Sequence, residues 1–185
     1  MADQAISSAN GGGPRCLRRR LIWLLPLLAG GCTAVPRDVA APRPAPHFAV
    51  EAFFAGHSEG SGTLKLIFSR ARSVTVHGNG RLASDGTLIL DQNVIDAAKA
   101  PKQREWRIRR VAADRYAGTL SDASGPVSGD VTGNRLHLRF TMKGGLATDQ
   151  WLSLRADGRI ADNIMVVRKF GVTVATLHET IRKVD

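Results

Sequence analysis

Turn signals recur along this chain at short, fairly regular intervals, and they constrain its fold more than any other feature of the sequence. They are rich in glycine, asparagine and aspartate, and they lie at Gly78-Asn79-Gly80, Asp85-Gly86, Asp114-Arg115, Gly133-Asn134, Gly144-Gly145 and Asp157-Gly158. Asp-Gly is a strong signal for a two-residue hairpin, because both central positions of that turn need a positive φ. Hairpins at this spacing favour an antiparallel meander.

The segments between the turns have alternating or β-branched apolar residues, which are typical of strands. They cover residues 63–68, 73–82, 87–95, 104–111, 116–122, 127–131, 135–142, 150–154, 160–168 and 172–181. About ten strands would leave exposed edges unless the sheet closed on itself. We therefore predict an all-β fold, an antiparallel up-and-down β-barrel of about eight to ten strands, after a short helical segment at 49–54. The last segment also fits a C-terminal helix, because residues 175–179 are ambiguous in period.

A basic cluster and a short apolar run precede the predicted barrel. Four arginines between residues 15 and 20 lead into residues 21–28. That run is too short to span a bilayer, which takes roughly 20 apolar residues, but it suits a signal peptide with a small-residue cleavage site. Ala29-Gly30-Gly31-Cys32 resembles the bacterial lipobox, whose cysteine receives a diacylglyceryl group. The usual leucine lies one place further back, at Leu28.

The lipobox divides the chain into three parts. Residues 1–31 are predicted to be a lipoprotein signal peptide, residues 32–47 the lipidated Cys32 with a proline-rich tether, and residues 48–185 a single β-barrel domain. Thr33 follows the cysteine, in place of the aspartate associated with inner-membrane retention. The resemblance to bacterial lipoproteins therefore implies an outer-membrane anchor facing the periplasm. The alternative is an ordinary secretory signal, or an uncleaved anchor, with Cys32 incidental.

Charge and cysteine usage exclude several classes of function. The formal net charge is +10, and removal of residues 1–31 leaves about +7, which favours anionic headgroups as partners. The basic residues are scattered, with almost no aromatic residues between them, so nucleic acid is not an expected partner. Cys16 and Cys32 lie in the predicted signal and at the lipidation site, which leaves no disulfide or thiol nucleophile. The five histidines lack metal-ligand spacing, so we expect no metal site. We also expect no cofactor and a monomeric protein.

A series of residues across 48–184 resembles a family of bacterial lipoproteins known as domain of unknown function 3833. The series comprises Arg104, Trp106, Tyr116, Gly118, Asp122, Gly129, Gly133, Asp149, Trp151, Asn163, Met165, Lys169, Phe170, Gly171 and Lys183. Its most specific part is Asn-x-Met-x-x-x-Lys-Phe-Gly, which begins at Asn163. Two departures are Gln150, where the family has an acid, and Ile164, where it has an arginine. The resemblance implies a lipocalin-like, calycin-type protein anchored to a membrane, and it implies no activity.

Alternation along a strand places several of these residues on shared faces. The sets are Arg104 with Trp106, Tyr116 with Asp122, Asp149 with Trp151, and Asn163 with Met165 and Lys169. We expect this mixed polar and aromatic face to line the barrel interior as a ligand-binding surface. Arg104 or Lys169 would then hold a carboxylate or phosphate head. The alternative is a narrow, filled barrel in which Arg104 pairs with Asp149 or Asp122.

These features predict a non-enzymatic lipoprotein that binds a lipid or another hydrophobic small molecule, and the step from barrel to ligand is an analogy of fold. Two alternatives stay open. One is an enzyme acting on an acyl or isoprenoid substrate, with Asp122, Asp149 or Tyr116 as acid or base. The other is a structural accessory of the cell envelope with a filled barrel. The chain has no G-x-S-x-G nucleophile motif.

Overall fold

Ten strands follow one short helix in the part of the chain that the computed structural model describes, residues 35–185. The helix α1 spans Val50–Phe54. The strands are β1 (Gly56–Leu66), β2 (Arg72–Leu82), β3 (Leu88–Asp96), β4 (Lys102–Ala112), β5 (Arg115–Leu120), β6 (Val127–Thr132), β7 (Arg135–Met142), β8 (Leu146–Leu154), β9 (Ile160–Lys169) and β10 (Val172–Lys183). The predicted signal peptide and Cys32 lie outside the described residues.

The sheet closes into a barrel because β1 pairs with two partners. It pairs antiparallel with β2 along one edge and antiparallel with β10 along the other. All the remaining pairings join strands that are neighbours in the chain, so the order around the barrel is that of a simple meander. The predicted all-β, up-and-down barrel is therefore confirmed. Between residues 35 and 185, no helix has both the length and the hydropathy of a bilayer-spanning segment.

Two local predictions were wrong, and both errors arose at glycines. Strand β1 begins at Gly56 rather than residue 63, and residues 78–80 lie inside β2 rather than in a turn. A Cβ on Gly60 would collide with the Glu179 carboxylate, and one on Gly80 would collide with the Phe54 carbonyl. These glycines permit close approach within strands. The predicted strand at 172–181 is confirmed as part of β10, which excludes the alternative of a C-terminal helix.

The two ends of the barrel differ. Helix α1 packs under the end where β2 leads into β3, and we call this the closed end. There Phe48, Phe53 and Phe54 are buried, with ring centroids 5.3 Å apart for the first pair and 4.8 Å for the second. At the opposite end, which we call the mouth, the hairpins turn from β1 to β2, β3 to β4, β5 to β6, β7 to β8 and β9 to β10.

Residues 35–47 pack on the outer face of the barrel. Val39 is buried against Trp151 and Val166. The backbone N–H of Arg43 donates to Asn134 Oδ1 at 2.6 Å, and Asn134 Nδ2 donates to the Leu154 carbonyl at 2.7 Å. The compact unit begins at Val35, so the prediction of an extended tether up to residue 47 was wrong for these residues. Their apolar and hydrogen-bonding contacts hold them against the barrel.

Candidate ligand-binding site in the barrel

A layer of polar side chains crosses the apolar barrel interior at mid-height. This polar layer consists of Ser58, Gln92, Arg104, Gln150, Asn163 and Glu179, one each from β1, β3, β4, β8, β9 and β10. Alternation along each strand points these residues into the barrel. The inward-pointing residues on either side of them are mostly apolar. Polar groups in such an interior require partners, so their contacts show what the layer can bind.

Arg104 lies on one side of the polar layer and is largely buried. Its Nε donates to Gln92 Oε1 at 2.8 Å, and the same oxygen accepts from Trp106 Nε1 at 2.9 Å. The two acids predicted to pair with Arg104 are engaged elsewhere, Asp122 with Lys102 at 2.8 Å and Asp149 with Arg168 at 2.7 Å. Within residues 35–185, no carboxylate lies within 4 Å of the guanidinium. Arg104 therefore keeps a positive charge that its neighbours do not neutralise directly.

Glu179 lies across the layer from Arg104 and was not among the predicted residues. Its Oε2 accepts from Asn163 Nδ2 at 2.7 Å. Burial raises the pKa of Glu179, and the hydrogen bond from Asn163 and the charge of Arg104 oppose that shift. Burial likewise lowers the pKa of Arg104, with the charges of Glu179 and Asp122 opposing. Glu179 could have been predicted as an interior residue from its alternation with the apolar Leu177 and Ile181. That prediction requires residues 177–181 to be assigned as a strand.

The space enclosed by the polar layer is small. Its cavity of about 30 Å³ is bordered by Arg104, Trp106 and Glu179 together with core side chains. That volume suffices for one or two water molecules. Asn163 Oδ1 is buried nearby and has no hydrogen-bond partner among the described residues. At mid-height the barrel is therefore filled by its own side chains.

The mouth contains a larger, mainly apolar cavity of about 430 Å³. It is lined by Leu64, Leu66, Met142, Leu146, Met165 and Val167, with Arg72, Asp96 and Lys99 on one side. Arg72 Nε lies 2.7 Å from Asp96 Oδ1. Beneath the cavity, Val74, Val76 and Leu177 form an apolar floor with Leu64, Val94 and Met165. The floor separates the cavity from the polar layer, and the cavity volume is in the range of small-molecule sites.

Five of the predicted site residues lie inside the barrel, at different heights. Arg104, Trp106 and Asn163 lie in or beside the polar layer, and Met165 lines the cavity in the mouth. Tyr116 is buried near the closed end, where its hydroxyl donates to Glu51 Oε2 of α1 at 3.1 Å. The structure thus brings the first three together, and Tyr116 instead holds the helix in place.

The other four predicted residues lie outside the interior or at its rim. Asp149 and Trp151 are on the outer face, because Gln150 between them points inward. Asp122 lies at the mouth, paired with Lys102. Lys169 also lies at the mouth, where its Nζ donates to the Gly144 carbonyl. The expectation that these four line the interior was wrong. Alternation shows that Asp149 and Trp151 share a face but not which face is inside, and Asp122 and Lys169 lie where their strands end at the rim.

Asp149 and Trp151 belong to a cluster on the outer face. Asp149 accepts from His137 Nε2 at 2.9 Å and from Arg168 at 2.7 Å. The His137 ring stacks on Trp151 with centroids 4.7 Å apart. Burial lowers the pKa of His137, which the hydrogen bond to Asp149 opposes. No group of three or more possible metal ligands is present in residues 35–185.

Two solved structures have folds similar to this barrel. The S-type phycobiliprotein lyase CPES from Guillardia theta aligns with a TM-score of 0.58 at 8% identity, covering 75% of this chain and 94% of that one. Rv2717c from M. tuberculosis aligns with a TM-score of 0.56 at 17% identity, covering 71% of this chain and 93% of that one. At these identities the similarity shows the fold, which is lipocalin-like. No curated protein matches the chain.

A family model described as "Protein of unknown function (DUF3833)" matches residues 26–183. The match covers nearly all of the barrel and confirms the family resemblance of the motif series that begins at Arg104. It carries no activity with it. The chain belongs to the DUF3833 family of proteins of unknown function, and its described part is a closed, ten-stranded, lipocalin-like barrel.

Proposed function

We propose that this protein is a lipoprotein, anchored to the outer membrane through Cys32 and facing the periplasm, whose barrel binds a hydrophobic small molecule at its mouth. The observation that carries the binding proposal is the apolar cavity of about 430 Å³ in the mouth. Apolar cavities of this size with a few polar groups at one side are typical of small-molecule sites. The similarity to a phycobiliprotein lyase supports the same conclusion at the level of fold.

The polar layer indicates that the proposed ligand has an acidic head group. Met165 forms part of the floor between the cavity and the layer, and methionine side chains repack more readily than branched ones. Movement of Met165 would open a path from the mouth to Arg104, whose charge lacks an ion-pair partner among residues 35–185. A carboxylate or phosphate head would supply that partner. The candidate ligand is therefore an amphiphile with an apolar tail and an anionic head.

Replacing Met165 with tryptophan tests the cavity. The larger side chain would occupy space that the ligand needs, and we expect the affinity for a dansyl-labelled undecanoic acid to fall at least about tenfold, from the burial that the tail loses. The measurement is a fluorescence titration of the barrel. Leu82→Trp is the matched control, because Leu82 is 53% exposed near the closed end. Equal affinities for the two variants and the parent protein would refute binding in the mouth.

Mass spectrometry of the full chain expressed in a bacterium tests the anchor. We expect the mature protein to begin at Cys32 and to carry the mass of several acyl chains, because one chain alone gives only marginal membrane binding. The Cys32→Ala variant should lose both the acyl mass and the cleavage before residue 32. A wild-type protein that is cleaved elsewhere, or carries no lipid, would exclude the lipoprotein proposal.

A structural role in the cell envelope is the second candidate. The observation that favours it is the filled interior at mid-height, where the cavity holds only about 30 Å³. Such a barrel would act through its surface, and its mouth would bind no probe. The titration described for Met165 distinguishes the two candidates, since a structural accessory would show no saturable binding in the parent protein.

A further inference from the structure

Two hairpin tips at the mouth hold phenylalanines in solvent. Phe68, between β1 and β2, is 100% exposed, and Phe170, between β9 and β10, is 93% exposed. Ile67 and Val172 beside them are 45% and 58% exposed. Because β1 and β9 both pair with β10, the two tips lie on the same sector of the mouth. Together these four residues form an apolar edge, which we call the tip patch.

The backbone at both phenylalanines is unusual. Phe68 has φ = 59° and Phe170 has φ = 50°, in the left-handed region that glycine and asparagine occupy far more readily than bulky residues. Their side chains are exposed, so packing inside the chain does not compensate for this conformation. Phe170 and Gly171 (φ = 80°) are the two central residues of the hairpin between Lys169 and Val172, a turn that needs a positive φ at both positions. The turn therefore accounts for the φ of Phe170, and a bulky aromatic residue occupies it with its ring in solvent.

The charges around the mouth are mainly positive. Arg70, Lys99, Lys143 and Lys169 lie in or beside its turns, and none of them forms an ion pair with a described residue. The acids at this end, Asp96 and Asp122, are each neutralised by an ion pair, with Arg72 and Lys102. The turns at the closed end contain acids as well as cations, namely Asp85, Asp114 and Asp157 with Arg155 and Arg159. The mouth therefore carries four cations without an ion-pair partner beside the tip patch, and Arg109, Arg115, Arg159 and Arg182 near the closed end likewise form no ion pair with a described residue.

We infer that the mouth docks on an anionic lipid bilayer, with the tip patch in the interface and the surrounding cations on the headgroups. The surfaces by which peripheral proteins bind membranes combine exposed aromatic residues with lysine and arginine. Lys169 Nζ lies 5.0 Å from the Phe170 ring centroid, so its stem can follow the ring while the ammonium stays at headgroup level. The inference does not depend on the proposed ligand, although a mouth facing a bilayer would receive hydrophobic molecules directly.

Sedimentation with vesicles tests the docking on residues 35–185, which contain every strand of the closed barrel and its buried core and lack the proposed lipid anchor. We expect the barrel to bind vesicles of phosphatidylcholine and phosphatidylglycerol (roughly 7:3) and not phosphatidylcholine alone. Phe68→Ser with Phe170→Ser should weaken binding at least about tenfold. The matched control is Leu82→Ser with Val111→Ser, two residues each 53% exposed near the closed end. Equal loss in both double variants would overturn the inference.

The charged part of the surface has its own test. Arg70→Glu with Lys143→Glu should lower binding to the anionic vesicles by more than about 20-fold, since each cation near such a surface contributes roughly a fivefold factor. Binding by the parent barrel should also fall as salt is raised. Binding that ignores both the charge reversal and the salt would show that the mouth does not face an anionic surface.

A tryptophan at the tip reports its depth. In Phe68→Trp, we expect fluorescence quenching by brominated lipids, while Leu82→Trp at the other end of the barrel should not be quenched. Met165→Trp separates docking from uptake of lipid into the cavity, since it leaves the tip patch intact and should still bind vesicles. If Met165→Trp lost vesicle binding while the Phe68 and Phe170 variants kept it, lipid uptake would explain the binding and docking would be wrong.

Discussion

Replacing Trp151 with alanine is expected to lower the free energy of unfolding by about 3–5 kcal/mol, the range for large aromatic truncations in packed sites. Trp151 is 1% exposed although it lies on the outer face of the barrel. Val39 and Val166 pack against it, and the His137 ring stacks on it at 4.7 Å. Truncation removes all of these contacts at once. Chemical denaturation of residues 35–185 measures the loss.

The cover over Trp151 makes a second readout possible. Since residues 35–47 contact the outer face through Val39, loss of the indole should release this segment and make it more sensitive to proteolysis than the strands. The control is Val111→Ala, at a half-exposed position near the closed end, which should change stability by less than about 0.5 kcal/mol. A loss below about 1 kcal/mol for Trp151→Ala would contradict the packing of the segment against the barrel.

Replacing Arg104 with methionine is expected to cost about 1.5–3 kcal/mol at pH 8, because it removes a charged hydrogen-bond donor from Gln92 and a positive charge that favours the ionised form of Glu179. Methionine keeps most of the stem packing and removes the charge and the Nε hydrogen bond to Gln92. Glu179 then loses the opposing charge that favours its ionised form. The measurement is the free energy of unfolding at several pH values.

The pH dependence identifies Glu179 as the cause. Burial raises the pKa of Glu179 in the folded state, so the folded protein binds the proton more tightly than the unfolded chain does. Its stabilising effect is complete below the ordinary pKa and is lost as pH rises through the folded pKa. In Arg104→Met this loss should be larger and should extend to higher pH. Adding Glu179→Gln should remove that pH dependence and recover most of the stability at pH 8.

Arg104→Lys is the matched control for charge. Lysine keeps a positive charge near Glu179 but cannot reproduce the planar donor that Nε presents to Gln92, so we expect an intermediate loss with less pH dependence than Arg104→Met. An identical loss for Arg104→Met at pH 5 and pH 8, unaffected by Glu179→Gln, would show that the polar layer is not electrostatically coupled.

Features that depend on neighbouring residues were located correctly from the sequence, whereas features that depend on contacts between distant residues were not. The positions of the Asp85-Gly86 and Asp157-Gly158 turns were predicted because a turn is a local feature, and Gly86 and Gly158 do have positive φ. The expected two-residue hairpins were wrong, since both loops have five residues and neither aspartate has a positive φ. The residues at 78–80 carry the same composition but lie within β2, where Gly80 makes room for the Phe54 carbonyl. This close contact is between residues distant in the chain, so no local pattern distinguishes residues 78–80 from a turn.

The candidate site shows the same division. Arg104 and Trp106 were predicted to share a face, and the structure places both inside, where both donate hydrogen bonds to Gln92. Asp149 and Trp151 also share a face, and that face is outside. A buried tryptophan suggests an interior position only when nothing covers the outer surface. Residues 35–47 do cover it, so the usual relation between burial and the inside of a barrel fails there.

The class of fold and the family could both be predicted from the sequence. Turn spacing and alternation are local patterns, so they predict the strands and their antiparallel order. About ten such strands would leave two unpaired edges, and closure into a barrel removes them. The tertiary structure alone decided which faces point inward and that Glu179 lies across from Arg104. It also decided that the cavity lies at the mouth, and that Phe68 and Phe170 stand together beside unpaired cations. Those properties depend on the pairing of β1 with β10, which joins the first strand of the sheet to the last.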